Sequence, residues 1–365
     1  MGVSDFYMII KEEKIMKWEE NVRKVVPYVP GEQPKRKDII KLNTNECPYP
    51  PAPGIEKELQ QYDVEMLRRY PDPNCQMLVD SLAQEYNLAP ENVFVGVGSD
   101  DVLAIAFMTF FNSDKKILFP DITYSFYDVW ADLYRIPYEK KALNDDFHIV
   151  KEDYFEENGG IIFPNPNAPT GVEEKFEDLE EIICRNRDVV VIVDEAYVDF
   201  GGKSVLPLIE KYDNLLVVQT FSKSRALAGI RIGYAMGNKK LIQYMNDVKF
   251  SFNSYTINRL TEVVGCACLN DRKYFEDTVN KVIATREWAK EELTALGFTF
   301  GDSKANFIFA KHKEKKAKDI FEALREKGIF VRYFALPRID NYLRISVGTD
   351  EEMKQLIDSL KEYLK

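Results

Sequence analysis

The sequence predicts an α/β fold with two domains: a large one built on a mostly parallel central sheet, and a smaller α+β one. Three observations indicate this architecture. Short, unbroken apolar runs alternate with helix-like stretches through most of the 365-residue chain. The runs are rich in β-branched residues, which is typical of strands buried on both faces of a sheet. After about residue 250, two long helical patterns and then short strands replace the alternation.

Six apolar runs predict the strands of the large sheet. They are VFVGV (93–97), KILF (116–119), GIIF (160–163), VVVIV (189–193), LLVVQ (215–219) and IGYAM (232–236). Helical patterns separate them, among others at 100–111 and 176–186. We assign residues 41–250 to the large domain, and residues 1–40 and 251–365 to the small domain.

The small domain is predicted from a different order of elements. Helices are expected at 254–269, 272–296, 314–326 and 350–364, and strands at 306–310, 329–333 and 343–347. The proline-rich stretch CPYPPAP (47–53) is typical of an extended entry loop.

Charge and composition exclude several classes of function. A net charge of -11 and a pI near 5.0 disfavour binding to nucleic acid or to an anionic membrane. The five cysteines contain no C-x-x-C pair, which favours free thiols in a reducing compartment. The N-terminal residues resemble neither a signal peptide nor a membrane span, so a cytoplasmic location is expected. With only two histidines, a histidine-ligated metal site or histidine triad is disfavoured.

Polar residues follow the predicted strands at the edge where doubly wound sheets bind ligands. Ser99 and Asp100 begin the helix after the first strand, where backbone N–H groups can hold a phosphate. The same residues are also typical of an ordinary N-cap. A third glycine after Gly96 and Gly98 is missing, which disfavours a dinucleotide site. The strand at 160–163 runs into a rigid turn, PNPNAPTG (164–171).

The next two strands end in charged residues. Asp194 and Tyr197 follow one of them, and Lys223 follows the other with hydroxyl groups beside it. A lone lysine there would be typical of a solvated loop, and a buried carboxylate is costly unless it meets a cation. Together the residues fit pyridoxal 5'-phosphate: an amine for its aldehyde, a carboxylate for its ring nitrogen, and donors for its phosphate. The freed lysine would also move protons.

The order of these motifs resembles the fold-type I, class I/II aminotransferases, which depend on pyridoxal phosphate. The motifs are YPDP (70–73), GSDD (98–101), PNPNAPTG (164–171), DEAY (194–197), TFSK (220–223), AGIRIGY (228–234) and LRISVGT (343–349). Within that group, LNTNECPYPPAP (42–53) and KFSFNSYTINRL (249–260) are most similar to the histidinol-phosphate aminotransferase family. The resemblance extends from about residue 25 nearly to the end of the chain.

The resemblance implies a role for each residue of the site. Lys223 matches the lysine that binds the cofactor aldehyde, Asp194 the partner of the ring nitrogen, Tyr197 the phenol on the ring oxygen, and Tyr124 the stacking aromatic. The residues that match the phosphate cradle are Ser99, Asp100, Thr220, Ser222 and Arg231.

Tyr70 matches the tyrosine that reaches the phosphate of the neighbouring subunit, which implies a homodimer. Arg344 and Arg332 match arginines that hold the anionic groups of the substrate. By themselves the two arginines are also typical of strand ends at a surface, and Tyr70 of a packing residue before a turn. The sequence departs from the family at Ala168, where relatives carry asparagine. Either Asn167 supplies the amide to the ring oxygen, or that bond is absent.

The implied activity is transfer of an amino group between histidinol phosphate and 2-oxoglutarate, in histidine biosynthesis. An aromatic-amino-acid aminotransferase and a threonine-phosphate decarboxylase are alternatives with the same motifs. A non-catalytic protein of this fold and a nicotinamide-dependent oxidoreductase are the alternatives from other classes.

Overall fold

The computed structural model describes residues 17–28, 32, 34 and 38–365. The other residues of the predicted N-terminal part of the small domain lie outside the described ranges. The strands are β1 (Ile40–Lys41), β2 (Val93–Gly96), β3 (Ile117–Pro120), β4 (Tyr138–Lys141), β5 (Ile161–Pro164), β6 (Val191–Asp194), β7 (Leu215–Thr220), β8 (Gly233–Gly237), β9 (Phe298–Phe300), β10 (Phe307–His312), β11 (Ile329–Phe330), β12 (Arg332–Tyr333) and β13 (Leu343–Ser346). The α-helices are α1 (Gly54–Gln61), α2 (Gln76–Tyr86), α3 (Ser99–Phe110), α4 (Phe126–Tyr134), α5 (Phe176–Arg185), α6 (Lys239–Phe252), α7 (Arg259–Asn270), α8 (Arg272–Ala295), α9 (Ala317–Glu326) and α10 (Asp350–Leu364).

Seven strands form the central sheet, in the order β2-β8-β7-β6-β5-β3-β4. Neighbouring strands are parallel except around β8, which runs antiparallel to both β2 and β7. The mostly parallel sheet is therefore confirmed, and all six predicted strands belong to it. The strand that the prediction missed is β4, whose sequence YEKK has no apolar run. It lies at the edge of the sheet, where charged side chains are common because one side is open to solvent.

Helices cover both faces of this sheet, which explains the unbroken apolar runs. On β6, Val191 and Val193 face one core cluster together with α2, α5 and α7. Ile192, between them, faces the opposite cluster together with α3, α4 and α6. Because both faces of the six predicted strands are buried, alternation of polar and apolar residues is absent from them.

A second sheet has the order β12-β13-β10-β9 and is antiparallel throughout. Helices α8, α9 and α10 pack against it. The single strand predicted at 329–333 is wrong: β11 pairs with β1, whereas β12 pairs with β13. The chain thus changes sheets at Val331, which periodicity alone does not reveal because this residue is buried like Ile329 and Phe330 before it.

The predicted domain boundary at residues 250 and 251 stays a prediction. Four side chains of α7 belong to the core cluster of the central sheet, namely Val264, Ala267, Cys268 and Leu269. A boundary near residue 270 would keep this helix with the sheet that it covers. No helix among the described residues is long and apolar enough to cross a membrane.

Candidate active site

Asp194 is the last residue of β6 and lies at the carboxyl edge of the central sheet. It is 5% exposed, and its carboxylate accepts hydrogen bonds from the Tyr127 hydroxyl (3.0 Å) and the Ala196 backbone N–H (3.1 Å). Burial raises the pKa of Asp194 to about 6, although both hydrogen bonds oppose the rise. Both hydrogen-bond donors are neutral. A buried carboxylate in this setting is suited to a cationic partner that enters the cleft.

Lys223 lies three residues after the end of β7, in the turn at the carboxyl end of that strand. Its Nζ donates a hydrogen bond to the backbone oxygen of Thr44 (3.4 Å) and lies 5.6 Å from the centre of the Tyr197 ring. The amine is therefore held by one long contact and by a ring face. That leaves it available for bond formation in the cleft.

The Tyr197 hydroxyl is fixed by Asn45, a residue that the sequence did not indicate. The Asn45 side-chain amide donates to this hydroxyl at 3.0 Å. Asn45 has a positive φ of 57° and is itself bound by Ser346, at the end of β13, and by Asn306, just before β10. The segment before the CPYPPAP loop thus ties the two sheets together at the site.

The predicted phosphate cradle forms one connected group at the start of α3. The Arg231 guanidinium donates to the Ser222 hydroxyl (3.4 Å) and pairs with the Asp100 carboxylate (3.3 Å). The Thr220 hydroxyl donates to Ser222 at 3.0 Å. The N–H groups of the first helical turn, at Ser99 and Asp100, have no acceptor within the helix. Hydroxyls, a guanidinium and a helix N-terminus therefore converge, as phosphate binding requires.

Two glycines make room for this arrangement. A Cβ on Gly98 would lie 2.3 Å from an Arg231 nitrogen, and one on Gly233 would lie 2.2 Å from the Ser99 backbone nitrogen. Any side chain at either position would therefore displace the guanidinium or the start of α3. This explains why β8 begins with glycine directly after the Arg231 segment.

The predicted stacking residue, Tyr124, is anchored to the same group. Its hydroxyl donates to the Asp100 carboxylate at 2.7 Å, and burial and that carboxylate raise the pKa of Tyr124. The Asp100 side chain thus links the aromatic residue to Arg231, a role beyond the backbone contact predicted for it.

Asn167 has its amide nitrogen already engaged. It donates to the Ile122 backbone oxygen (3.0 Å) and to the Thr170 hydroxyl (3.1 Å). Ala168 packs in an apolar cluster with Tyr197 and Phe307. The predicted contact between Asn167 and the cofactor ring oxygen stays a prediction, and both donors of this amide are engaged elsewhere.

Arg332 and Arg344 lie opposite each other on paired strands β12 and β13. Arg344 donates to the Asn43 backbone oxygen (3.0 Å), while its buried Nε has no hydrogen-bond partner among the described residues. Burial lowers the pKa of Arg344, and the neighbouring positive charge of Arg332 adds to this effect. Both guanidinium groups lie about 5.5 Å from the Phe334 ring, at 5.5 Å and 5.6 Å. Two adjacent cations with an open donor are arranged to bind an anion.

Comparison with known proteins identifies the family. The model of the family "Aminotransferase class I and II" matches residues 37–360. A histidinol-phosphate aminotransferase of Lactococcus lactis subsp. cremoris (strain MG1363) is 51% identical over 350 residues, 96% of this chain and 98% of the relative. One from Brachyspira hyodysenteriae is 52% identical over 95% of this chain and 98% of the relative. The chain belongs to the histidinol-phosphate aminotransferase family. The resemblance inferred from the motifs is thereby confirmed.

Solved structures support the fold of a histidinol-phosphate aminotransferase. The enzyme of that name from Sinorhizobium meliloti, in complex with pyridoxal-5'-phosphate, has a TM-score of 0.80 at 23% identity over 89% of this chain and 90% of that chain. The one from Clostridium acetobutylicum has a TM-score of 0.82 at 22% identity over 89% of this chain and 99% of that chain. At these identities the likeness concerns the fold alone. It confirms the predicted fold-type I architecture.

The residues of this histidinol-phosphate aminotransferase family member fit the cofactor of the class. Asp194 offers a buried carboxylate, whose two hydrogen-bond donors are neutral, to a protonated ring nitrogen. The Arg231 group offers charged and neutral donors to a phosphate. Lys223 lies between Asp194 and Arg231 in the sequence, and its amine is 5.6 Å from the centre of the Tyr197 ring.

Sequence reasoning missed two residues of the site. Tyr127 is fully buried and donates to Asp194, and Asn45 donates to Tyr197. The only signal for Tyr127 was a phenol three residues after Tyr124, one helical turn away. Asn45 lies in the motif LNTNECPYPPAP, but its partner Tyr197 is 152 residues away in the sequence, and only the fold brings the two together.

Proposed function

We propose that this chain is a pyridoxal-phosphate-dependent aminotransferase that exchanges an amino group between histidinol phosphate and 2-oxoglutarate, in histidine biosynthesis. The observation that supports this best is the Arg332–Arg344 pair, whose charges meet no carboxylate in the described part of the chain. The names of the relatives at about 50% identity agree with it.

The bound cofactor supplies an electron sink for the carbanion formed at the substrate carbon. Asp194 keeps the ring nitrogen protonated, and the first turn of α3 with Arg231 holds the phosphate. Tyr124 packs against the ring, with its hydroxyl fixed by Asp100. In this proposal, these contacts would orient the reacting bond.

Lys223 moves the proton in this proposal. With the cofactor and substrate bound, the Lys223 amine would be placed to take a proton from the substrate carbon and to return it on the cofactor side. Tyr197, held by Asn45, orients the ring oxygen. The second substrate then reverses these steps.

The arginine pair accounts for two substrates in one pocket. Histidinol phosphate carries no carboxylate, so its phosphate dianion must be its strongest anchor. 2-Oxoglutarate carries two carboxylates. A guanidinium forks onto either group with two parallel hydrogen bonds, so one pair can serve both half-reactions.

A half-reaction screen tests the donor. Purified, cofactor-loaded protein is mixed with histidinol phosphate, phenylalanine, tyrosine or threonine phosphate, and the change in cofactor absorbance is followed. We expect histidinol phosphate to react fastest. Faster reaction of phenylalanine would favour an aromatic aminotransferase, release of carbon dioxide from threonine phosphate would favour the decarboxylase, and no reaction at all would favour a binding protein.

The Arg332→Ala variant sharpens this test. Loss of a charged hydrogen-bond partner costs about 1.5–3 kcal/mol, so the KM for histidinol phosphate should rise on the order of tenfold to a hundredfold. The KM for phenylalanine should change little. Equal losses for both donors would mean that Arg332 has only a structural role.

We further propose a homodimer with shared sites, in the cytoplasm. Tyr70 is 78% exposed and stacks on Tyr255 at 4.7 Å. Large apolar side chains near Tyr70 and Tyr255 in the sequence are also exposed, including Leu59, Val64, Leu67 and Phe252. An exposed apolar group of this kind is typical of an interface. All five cysteines are free thiols, which agrees with a reducing compartment.

Mixing two inactive variants tests the shared site. If Tyr70 serves the partner's cofactor, a mixture of Lys223→Ala and Tyr70→Ala subunits forms some hybrids in which one site is intact. Activity should then return after subunit exchange. No recovery in exchanged mixtures would contradict the sharing, while a monomer in sedimentation would contradict the dimer itself.

A further inference from the structure

The loop at residues 334–342 joins the two strands that carry the arginine pair. β12 ends at Tyr333 and β13 begins at Leu343, so the loop is the closed end of a hairpin with Arg332 and Arg344 in its stem. Arg338 lies within this loop and reaches across to the central sheet.

Arg338 makes three hydrogen bonds to residues that follow β3 and β4. One nitrogen donates to the Asp121 carboxylate at 2.7 Å. The other donates to the backbone oxygens of Leu143 (2.6 Å) and Asn144 (3.1 Å). A planar guanidinium can satisfy all three acceptors at once, whereas an ammonium group lacks this fork geometry.

The acceptors are themselves fixed. The other carboxylate oxygen of Asp121 accepts the Leu143 backbone N–H at 3.0 Å, and the Asp121 N–H donates to the Lys141 oxygen at 2.8 Å. Arg338 has a φ of 68°, a backbone conformation that residues other than glycine rarely adopt. The contacts of the Arg338 side chain therefore stabilise this backbone conformation against its conformational strain.

The contact lies next to residues of the cofactor site. Asp121 is followed by Ile122 and Thr123, which bond Asn167, and then by Tyr124. Ile339, beside Arg338, is buried in a cluster with Ile122, Leu143 and Phe309. The tip of the hairpin is thus joined to the turn that presents the stacking tyrosine.

We propose that Arg338 is a positioning residue for the substrate anion: by holding the hairpin tip against the Asp121 turn, it sets the Arg332–Arg344 pair at its working distance from Tyr124 and Lys223. The inference deepens the proposed function, because it takes from that proposal that the pair binds substrate. It assigns to Arg338 no contact with substrate or cofactor.

The test compares Arg338→Ala, Arg338→Lys and the matched control Arg187→Ala. Arg187 bonds an aspartate, Asp213, and a backbone oxygen, that of Lys211, as Arg338 does, but at the opposite end of β6. For Arg338→Ala we expect the KM for histidinol phosphate to rise about tenfold with a smaller change in kcat, since misplaced binding groups lose orientation. Arg338→Lys should recover part of the loss, and Arg187→Ala should behave as the unmodified enzyme.

Hydrogen exchange supplies a readout that is independent of the donor. In Arg338→Ala, peptides covering residues 332–346 should exchange faster, while those covering α5 should not change. The proposal is overturned if KM and exchange both stay unchanged, or if Arg187→Ala shows the same loss. If the unmodified enzyme does not use histidinol phosphate, the proposed function fails, while the exchange result and the KM for the true donor still decide the role of Arg338.

Discussion

The two sides of the cleft hold their charges in different ways. On the side of the central sheet, the Asp194 carboxylate has a hydrogen-bond donor for each oxygen, and Arg231 is bonded to Ser222 and Asp100. On the side of the second sheet, Arg344 has one carbonyl partner and a like charge beside it, and its Nε is unbonded among the described residues. The charged groups on the side of the central sheet already have their hydrogen-bond partners within the protein. On the side of the second sheet, Arg344 keeps a donor free of any described partner.

This difference in hydrogen bonding fits the proposed ligands of the two sides, which are the cofactor on the central sheet and the substrate anions on the second sheet. In the proposed function, the cofactor would remain bound through every turnover, so a rigid set of residues whose hydrogen bonds are already made would orient it without being reordered each time. In the proposed function, the arginine pair accepts two different anions in turn and releases both. A site that fixed its arginines with carboxylates would compete with those anions for the same hydrogen bonds.

The largest effect is expected at the reacting centre of the first side. Lys223→Ala removes both the covalent attachment and the proton carrier, so turnover should fall by several orders of magnitude while the cofactor is still retained through its phosphate. Absorbance spectra and borohydride reduction would report the lost link. Near-normal turnover in this variant would show that another group moves the proton.

The second prediction concerns the cost of burying Asp194. Its pKa is raised to about 6, so the folded, cofactor-free protein binds more protons than the unfolded chain between about pH 4 and 6. The free energy of unfolding therefore falls as the pH rises through this window, by about 2–3 kcal/mol for this group.

Asp194→Asn should remove that loss. The cofactor-free variant should be more stable than the unmodified protein at pH 7.5, by about 2 kcal/mol, and equally stable at pH 4. Chemical denaturation at both pH values measures this. A variant that is less stable at pH 7.5 would show that the carboxylate is stabilised by the fold. Asp213→Asn, on the surface, serves as the control.

Tyr127→Phe probes the hydrogen bond on the Asp194 carboxylate. Without this donor the pKa of Asp194 should rise further, and the acid limb of the kcat profile should move to higher pH. A hydrogen bond to a charged group is worth about 1.5–3 kcal/mol, so kcat at neutral pH should fall on the order of tenfold to a hundredfold. Tyr134→Phe, in the same helix, should leave the profile unchanged. An unshifted acid limb in Tyr127→Phe would mean that this hydroxyl does not influence Asp194.

The smallest effect is expected on the second side. Without an anion, Arg332→Gln should leave the free energy of unfolding within about 0.5 kcal/mol of the unmodified value, because the lost contacts are offset by the relief of repulsion at Arg344. With inorganic phosphate at ten times its Kd, the unmodified, cofactor-loaded enzyme should gain about 1.4 kcal/mol. The variant should gain much less. An equal gain would place phosphate binding outside the arginine pair.

Sequence patterns were sufficient for six strands of the central sheet because these strands are buried on both faces. Val191, Ile192 and Val193 pack into two cores at once, which leaves an unbroken apolar run that is easily recognised. Such reasoning failed where burial is one-sided or brief. The edge strand β4 is charged, and β11 and β12 divide one apolar run between two sheets.

The site residues divide in the same way. Asp194 ends one buried strand and Lys223 lies three residues after the next, so their common edge followed from the fold class. Tyr127, Asn45 and Arg338 act through hydrogen bonds to residues far away in sequence, 67, 152 and 217 positions in turn. No local pattern distinguishes such a residue from one that merely packs, because its role depends on where its partner lies.

The contacts of Asn45 also determine when the site can form while the chain is being synthesised. Asn45 is bonded to Ser346, a residue 301 positions later, and β1 pairs with β11 in the last fifth of the chain. During synthesis the central sheet has all its strands once residue 237 has left the ribosome, but the Tyr197 hydroxyl cannot be fixed in its final position until nearly the whole chain is out. Contacts of such large sequence separation form late because closing the loop between them is slow. A ribosome stalled near residue 300 would therefore carry a largely folded sheet without a finished pocket.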